Sequence, residues 1–230
     1  MGSPSRFSRR GFIGMAVGAA AIPAVTAACQ SGDSGNAPKP SAGRTASGRG
    51  PTPENSLPGD PRWGIRHLGD AGAMMGYAGQ VSVLPGEPIT LYASTTGRSF
   101  TVIAFRMGWY RGDLARKVWK SGTVPGHKQH KPVVLKPTNT VEARWDPSVT
   151  IPTHDWPEGS YLLRMDSEAG PQRFVPVTVR SAKTAGKTVI KNAVETWQAY
   201  NLWGGYDLYN GPGGVADYNN RSLAVSLARP

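Results

Sequence analysis

The sequence predicts a mainly β chain, an antiparallel sandwich of immunoglobulin-like kind. Three observations carry that reading. Gly 29 and Pro 20 are abundant among 230 residues, while charged residues are only 18%, which favours short strands with frequent turns over long helices. Between Trp63 and Val179 apolar residues recur with period two. Seven or eight such runs follow one another with no helical pattern between them, each closed by turn residues.

The strands read off in order. Ile89, Leu91 and Ala93 alternate with Thr90, Tyr92 and Ser94. Thr101, Ile103, Phe105 and Met107 share one face of the next strand, and Val141, Ala143 and Trp145 point opposite to Glu142 and Arg144. Leu84-Pro85-Gly86-Glu87 and Trp156-Pro157-Glu158-Gly159 are turns, because Pro presets φ and Gly accepts positive φ. Runs at 161–165 and 174–179 read as a closing hairpin around Ser167-Glu168-Ala169-Gly170. The body so defined covers 56–180. It must hold without a disulfide, since Cys29 is the sole cysteine.

Ahead of it stands an export signal. Ser8-Arg9-Arg10-Gly11-Phe12-Ile13-Gly14 has the twin-arginine pattern, followed by an apolar Ala/Gly-rich stretch to Ala28. That stretch is too short to serve as a permanent membrane span. The expected partner is the twin-arginine export machinery, and 1–28 is the signal peptide. Val25-Thr26-Ala27-Ala28-Cys29 resembles a lipobox, although Thr26 replaces the usual aliphatic residue. Two outcomes stay open: a lipid on Cys29 that anchors the chain to the membrane, or cleavage near Ala27 and free secretion. Residues 29–55 are rich in Ser, Gly and Pro and too poor in apolar groups to order. As a flexible tether they would span about 28 Å on average.

The formal net charge is +11. Arg6, Arg9 and Arg10 sit in the acid-free signal, leaving +8 for the remainder. No run of five basic residues occurs, so the excess reads as general surface charge, with no nucleic acid as partner.

Among single features, Arg106-Met107-Gly108-Trp109-Tyr110-Arg111-Gly112 stands out. Two glycines permit a sharp bend, with Trp109 and Tyr110 exposed between them. The pair is either a surface contact for cell-wall glycan or a partner, or a corner whose aromatics pack on a neighbour. His127 and His130 form an HxxH string, but in a Lys- and Pro-flanked loop with no acid nearby in sequence. That context argues against a metal. Gly211-Pro212-Gly213-Gly214 lacks the following Lys-Ser/Thr of a phosphate cradle, and no Gly-x-Ser-x-Gly elbow is present. No catalytic residue is assigned.

After Arg180 the character changes. A polar linker, 181–187, precedes a run at 188–194 that reads as a strand, and a second short strand is expected at 222–227. Between them lie Thr196-Trp197-Gln198-Ala199-Tyr200-Asn201 and Trp203-Gly204-Gly205-Tyr206-Asp207-Leu208-Tyr209-Asn210, aromatics interleaved with amides.

These strings, together with the stretch 106–118, resemble the N,N-dimethylformamidase large (beta) subunit-like family. The resemblance covers roughly 63–230, and Ser226-Leu227-Ala228-Arg229-Pro230 is similar to a segment near the start of the family's α/β domain. It implies a β-sandwich followed by an α/β domain of glutamine-amidotransferase-like form, of which 181–230 would be the incomplete opening. The implied activity is that of a metal-dependent amide hydrolase, whose iron is held by two tyrosines and a glutamate from a later His-x-Glu motif. Tyr200 matches one tyrosine ligand. The second is not fixed among Tyr206, Tyr209 and Tyr218, and the His-x-Glu motif does not occur in this sequence. No cofactor is therefore expected in this chain, and it is expected to be inactive. The other reading of Tyr200, favoured for this chain, is core or interface packing. The alternative is a non-catalytic surface-binding module.

Overall fold

The computed structural model describes residues 53–230. Arg9, Arg10 and Cys29 lie outside the described residues, as does nearly all of the expected tether.

The protein is mainly β. Among the described residues eleven strands are formed: β1 (Met74–Ala78), β2 (Ser82–Val83), β3 (Ile89–Thr95), β4 (Ser99–Met107), β5 (Ala115–Lys120), β6 (Val124–Pro125), β7 (Val133–Leu135), β8 (Thr140–Glu142), β9 (Val149–Ile151), β10 (Gly159–Ser167) and β11 (Gln172–Val179). Two short helices flank them, α1 (Pro53–Ser56) and α2 (Val194–Ala199). One sheet has the order β1-β3-β9 and a second β2-β11-β10-β4-β5, with β6 also on β4, while β7 and β8 make a separate hairpin. All pairings are antiparallel except β2 with β11, which is parallel. The second sheet is thus mixed, while the first and the β7–β8 hairpin are purely antiparallel. The reason is local: β2 follows β1 by a short crossing and reaches the free edge of β11 in that direction.

The period-two reading of the strands holds. Ile89, Leu91 and Ala93 are buried on β3, and Val141, Ala143 and Trp145 are buried where Glu142 and Arg144 are not, although β8 ends at Glu142 and Ala143 and Trp145 lie beyond it. The β10–β11 hairpin pairs Gly159 with Val179 through Asp166 with Gln172. On β4 the core set is the even one, Phe100, Val102 and Ala104, so Ile103 and Phe105 turn to the other face. One cluster joins the sheets: Met74, Ile89, Leu91 and Ile151 from the first meet Val102, Leu163 and Met165 from the second, all at 0% exposure. Burial of each such side chain is worth about 1.5–3 kcal/mol, so this shared core holds the fold together.

Gly76 of β1 shows how close the packing is. A Cβ there would meet the Met165 side chain at 2.7 Å and the Tyr92 carbonyl at 2.8 Å. Only a hydrogen fits.

Two expected strands beyond β11 are absent. Residues 188–193 pair with no strand, and Val189 and Ile190 are 67% and 86% exposed. Lys191 and Asn192 break the apolar run, and an extended segment without a hydrogen-bonded neighbour is not a strand. Asn192 instead donates its side-chain amide to Ser160 Oγ and Thr178 Oγ1. At 222–227 the backbone bonds to loops: the Ser222 N–H reaches the Asp207 carbonyl and the Leu223 N–H the Thr138 carbonyl.

Candidate functional site

The two aromatic regions singled out in the sequence end in different environments. After β4, Gly108 allows a tight corner, since a Cβ there would sit 2.8 Å from the Tyr110 ring. Trp109 caps a 3-10 turn, Tyr110–Gly112, and is 65% exposed. Tyr110 is fully buried, which corrects the expectation that it faces solvent. The turn folds it inward with φ 42°, where its hydroxyl donates to Glu54 Oε1 at 2.7 Å and accepts from Arg106 Nη1 at 2.7 Å. A phenol with two charged partners is better satisfied inside than on the surface. Burial first, and then the Glu54 carboxylate, push the Tyr110 phenol up.

The second region is the loop after α2. Tyr200 ends that helix, its N–H bonded to the Thr196 carbonyl. Gly204 and Gly205 then turn the chain with φ 81° and 89°. Trp203 meets Trp145 edge-on at 5.8 Å and joins a small core with Tyr77, Ala143 and Ala228. The segment therefore lies against the β body.

Two buried polar residues shape this loop, and neither was singled out on its own in the sequence. Asp207 Oδ1 accepts the N–H groups of Tyr209 and Asn210, each at 2.7 Å, and both of its oxygens accept from the Asn210 amide. Arg229, 1% exposed, donates to the carbonyls of Gln198, Asn201 and Tyr206 and to Gln198 Oε1. Its guanidinium thus satisfies carbonyls left open where α2 ends, the position a cation favours. Burial lowers its proton affinity, opposed by the Asp207 charge. A charged residue near a chain end ordinarily reads as solvated, so the sequence offers no signal for its burial. Asp207 did carry one: an Asp two and three residues before backbone N–H groups is the pattern of an Asx turn.

The result is a tyrosine pair. The Leu208 N–H returns to the Ala199 carbonyl at 3.1 Å. Tyr209 then stacks on Tyr200, with ring centroids 4.5 Å apart and planes at 15°. The hydrogen bond to Tyr200 raises the Tyr209 phenol above its ordinary value. Tyr200 is 61% exposed and Tyr209 51%. Of the three tyrosines left undecided in the sequence, the fold brings Tyr209 to Tyr200. Tyr218 is exposed under Arg221, and Tyr206 lies beneath Lys136.

Two phenols do not by themselves suit iron, which needs several converging donors with fixed orientation. Of the two carboxylates of this loop, Asp207 is 2% exposed and turned to backbone and amide donors, and Asp217 accepts from the Asn219 and Asn220 N–H groups and the Asn220 amide. Among the described residues no group of three His, Cys, Asp or Glu could hold a metal ion. His127 and His130 are exposed loop residues. Likewise among the described residues, no helix is long and apolar enough to cross a membrane.

No curated protein matches the chain. Residues 101–230 match the family described as N,N-dimethylformamidase beta subunit-like, C-terminal. The match begins within β4, crosses the β10–β11 hairpin and includes the whole tyrosine loop with Arg229. With more than half its length so matched, the chain belongs to the N,N-dimethylformamidase beta subunit-like family.

Proposed function

We propose that this is an exported envelope protein, anchored by lipid on Cys29, in which an amide-hydrolase scaffold presents two phenols but does not turn over substrate. The body is an immunoglobulin-like sandwich over 56–180, and 181–230 is the opening segment of a glutamine-amidotransferase-like α/β domain. The carrying observation is the Tyr200–Tyr209 pair: Asp207 and Arg229 fix its loop, and the loop's two carboxylates, Asp207 and Asp217, accept from backbone and amide donors. An iron held by two phenols and a carboxylate would polarise an amide carbonyl and activate water. Among the described residues this loop supplies the phenols, while its carboxylates are engaged elsewhere. Purified mature protein, supplied with iron, is expected to leave N,N-dimethylformamide unhydrolysed. Hydrolysis with stoichiometric iron bound overturns the inactive reading.

Export rests on the Arg9-Arg10 pair and the apolar stretch behind it. Replacing both arginines by lysine should hold the protein in the cytosol, and mass spectrometry of the mature N-terminus should find an acylated Cys29. Recovery of an intact N-terminus from cytosol of the unmodified strain refutes export.

A second reading has its own observation. Trp109 stands 65% exposed on a corner that Gly108 and the buried Tyr110 hold rigid. A fixed, solvent-facing indole suits stacking on a sugar ring, so the protein would bind wall glycan without chemistry. Retention on insoluble cell-wall polymer that is lost in Trp109→Ala supports this reading, and equal retention of both proteins removes it.

A further inference from the structure

The basic residues look scattered along the sequence, but the fold gathers several of them. The outer face of the second sheet carries Ile103 and Phe105 on β4, with Arg164 opposite Ile103 on β10. On the other side β5 pairs Lys117 with Phe105 and Lys120 with Ile103, with a register shift between those pairs. Residues three apart on a regular strand point to opposite faces. The bulge inserts one extra residue and so puts both lysines on the same face.

The loop before β1 crosses this face and forms the opposite wall. Arg164 Nη1 donates to the carbonyls of Arg62, Trp63 and Gly64, while Gln172 Oε1 accepts the N–H groups of Arg66 and His67. Trp63 stacks on Phe174 at 6.1 Å. These bonds pin the loop and direct Arg62 and Arg66 toward the lysines. The cavity between the walls, about 340 Å³, is lined by five cations and one carboxylate, Asp60. A neighbouring cavity of about 450 Å³ shares Asp60, Arg62 and Lys117, so the trough continues toward Arg116 and Gly59.

The charges in the trough are unequal in use. Arg164 is matched by Asp166 at 2.8 Å, and Arg62 by Asp60 at 3.2 Å. Among the described residues no carboxylate lies within ion-pair distance of Arg66, Lys117 or Lys120, and all three are exposed. Lys117 acts on Asp60 only beyond ion-pair distance, and a surface that collects loosely matched cations along two walls, one of them held by a buried network, is set for a repeated negative charge.

We infer that this trough binds a linear polymer bearing a phosphate on each repeat. Its length across two joined cavities favours a chain over a single small anion. Its walls favour a threaded strand over the flat headgroup layer of a membrane. Its aromatic groups do not favour bases: Phe105 is buried under Arg164 and Trp63 is taken by Phe174, leaving no stacking platform of the kind single-stranded nucleic acids use. This inference does not depend on the reading of the tyrosine loop.

The test is equilibrium binding of the mature protein to long-chain inorganic polyphosphate over a range of salt concentrations. Lys117→Gln/Lys120→Gln is compared with Lys128→Gln/Lys131→Gln, which removes the same charge from another cavity. The first pair should weaken binding about tenfold and lower the salt slope by about 1.4, while the control stays within about twofold. Orthophosphate, oligothymidylate and anionic phospholipid vesicles should each bind far more weakly than polyphosphate. Equal losses in the two pairs, absence of polyphosphate binding, or equal binding of oligothymidylate or vesicles overturns the proposal. An unchanged thermal transition in both variants confirms that the fold is intact.

Discussion

Arg116 donates twice to Glu54 Oε1, from Nη2 at 2.7 Å and from Nε at 2.9 Å, and by this pair fastens α1 to the start of β5. Tyr110 donates to the same oxygen, and Arg106 lies 3.8 Å from it. One carboxylate thus collects a phenol and two guanidinium groups at the edge of the core.

Glu54→Gln should cost about 2 kcal/mol of unfolding free energy, because the charged acceptor of several hydrogen bonds is replaced by a neutral one. Urea unfolding of the mature protein reads this directly, and an unchanged midpoint would show that the cluster is not stabilising.

The same carboxyl gives a pH dependence. Burial alone would raise it, but the bonds from Tyr110 and Arg116 and the nearby Arg106 charge outweigh that and hold it below 4.5. Such a group binds protons less readily folded than unfolded. Its contribution is therefore complete above the ordinary glutamate value and fades as pH falls through the lower folded value. The acid limb of the stability profile should flatten in Glu54→Gln relative to the unmodified protein.

Arg229→Met should loosen the tyrosine loop, since carbonyls of Gln198, Asn201 and Tyr206 lose their shared donor. The expected loss is about 2 kcal/mol, concentrated locally. Hydrogen exchange at the Leu208 and Tyr209 amides should accelerate while the β10–β11 amides stay protected. Uniform acceleration across the protein would contradict a local role.

Gly204→Ala tests the docking of this segment. At φ 81° a Cβ is strained, and here it would run into the Val141 side chain and sit 3.1 Å from Pro132. A loss of about 1–3 kcal/mol is expected, together with altered fluorescence from Trp203. A variant as stable as the parent would place the segment elsewhere.

Tyrosine ionisation can be followed by ultraviolet absorbance. Tyr209 should ionise late, and Tyr200→Phe should return it toward the ordinary value, because the hydrogen bond to Tyr200 is the leading cause of its shift. Tyr77 should resist until about 12, held up by burial first and by Tyr92 next. Identical curves for Tyr209 with and without the Tyr200 hydroxyl would show that the two phenols do not meet.

The alternation of small windows made most strands legible. Ile89-Leu91-Ala93 buries one face of β3 because a strand has only two, and the alternation of Val141-Ala143-Trp145 carries the same burial past the end of β8 at Glu142. Turn residues at Pro85-Gly86 and the hairpin around Ala169-Gly170 were readable for the same local reason. The run at 188–194 misled because a strand also needs a neighbour, and composition says nothing about neighbours.

By itself, then, the sequence determined the β character, the hairpin that closes it and the family strings around Tyr200, since each depends on residues a few positions apart. Only the tertiary structure decided that Tyr209 meets Tyr200, that Tyr110 and Arg229 go inside, and that a bulge in β5 turns Lys117 and Lys120 toward Arg62 and Arg66. Those outcomes depend on partners distant in the chain, and on register shifts of a single residue that no periodicity records.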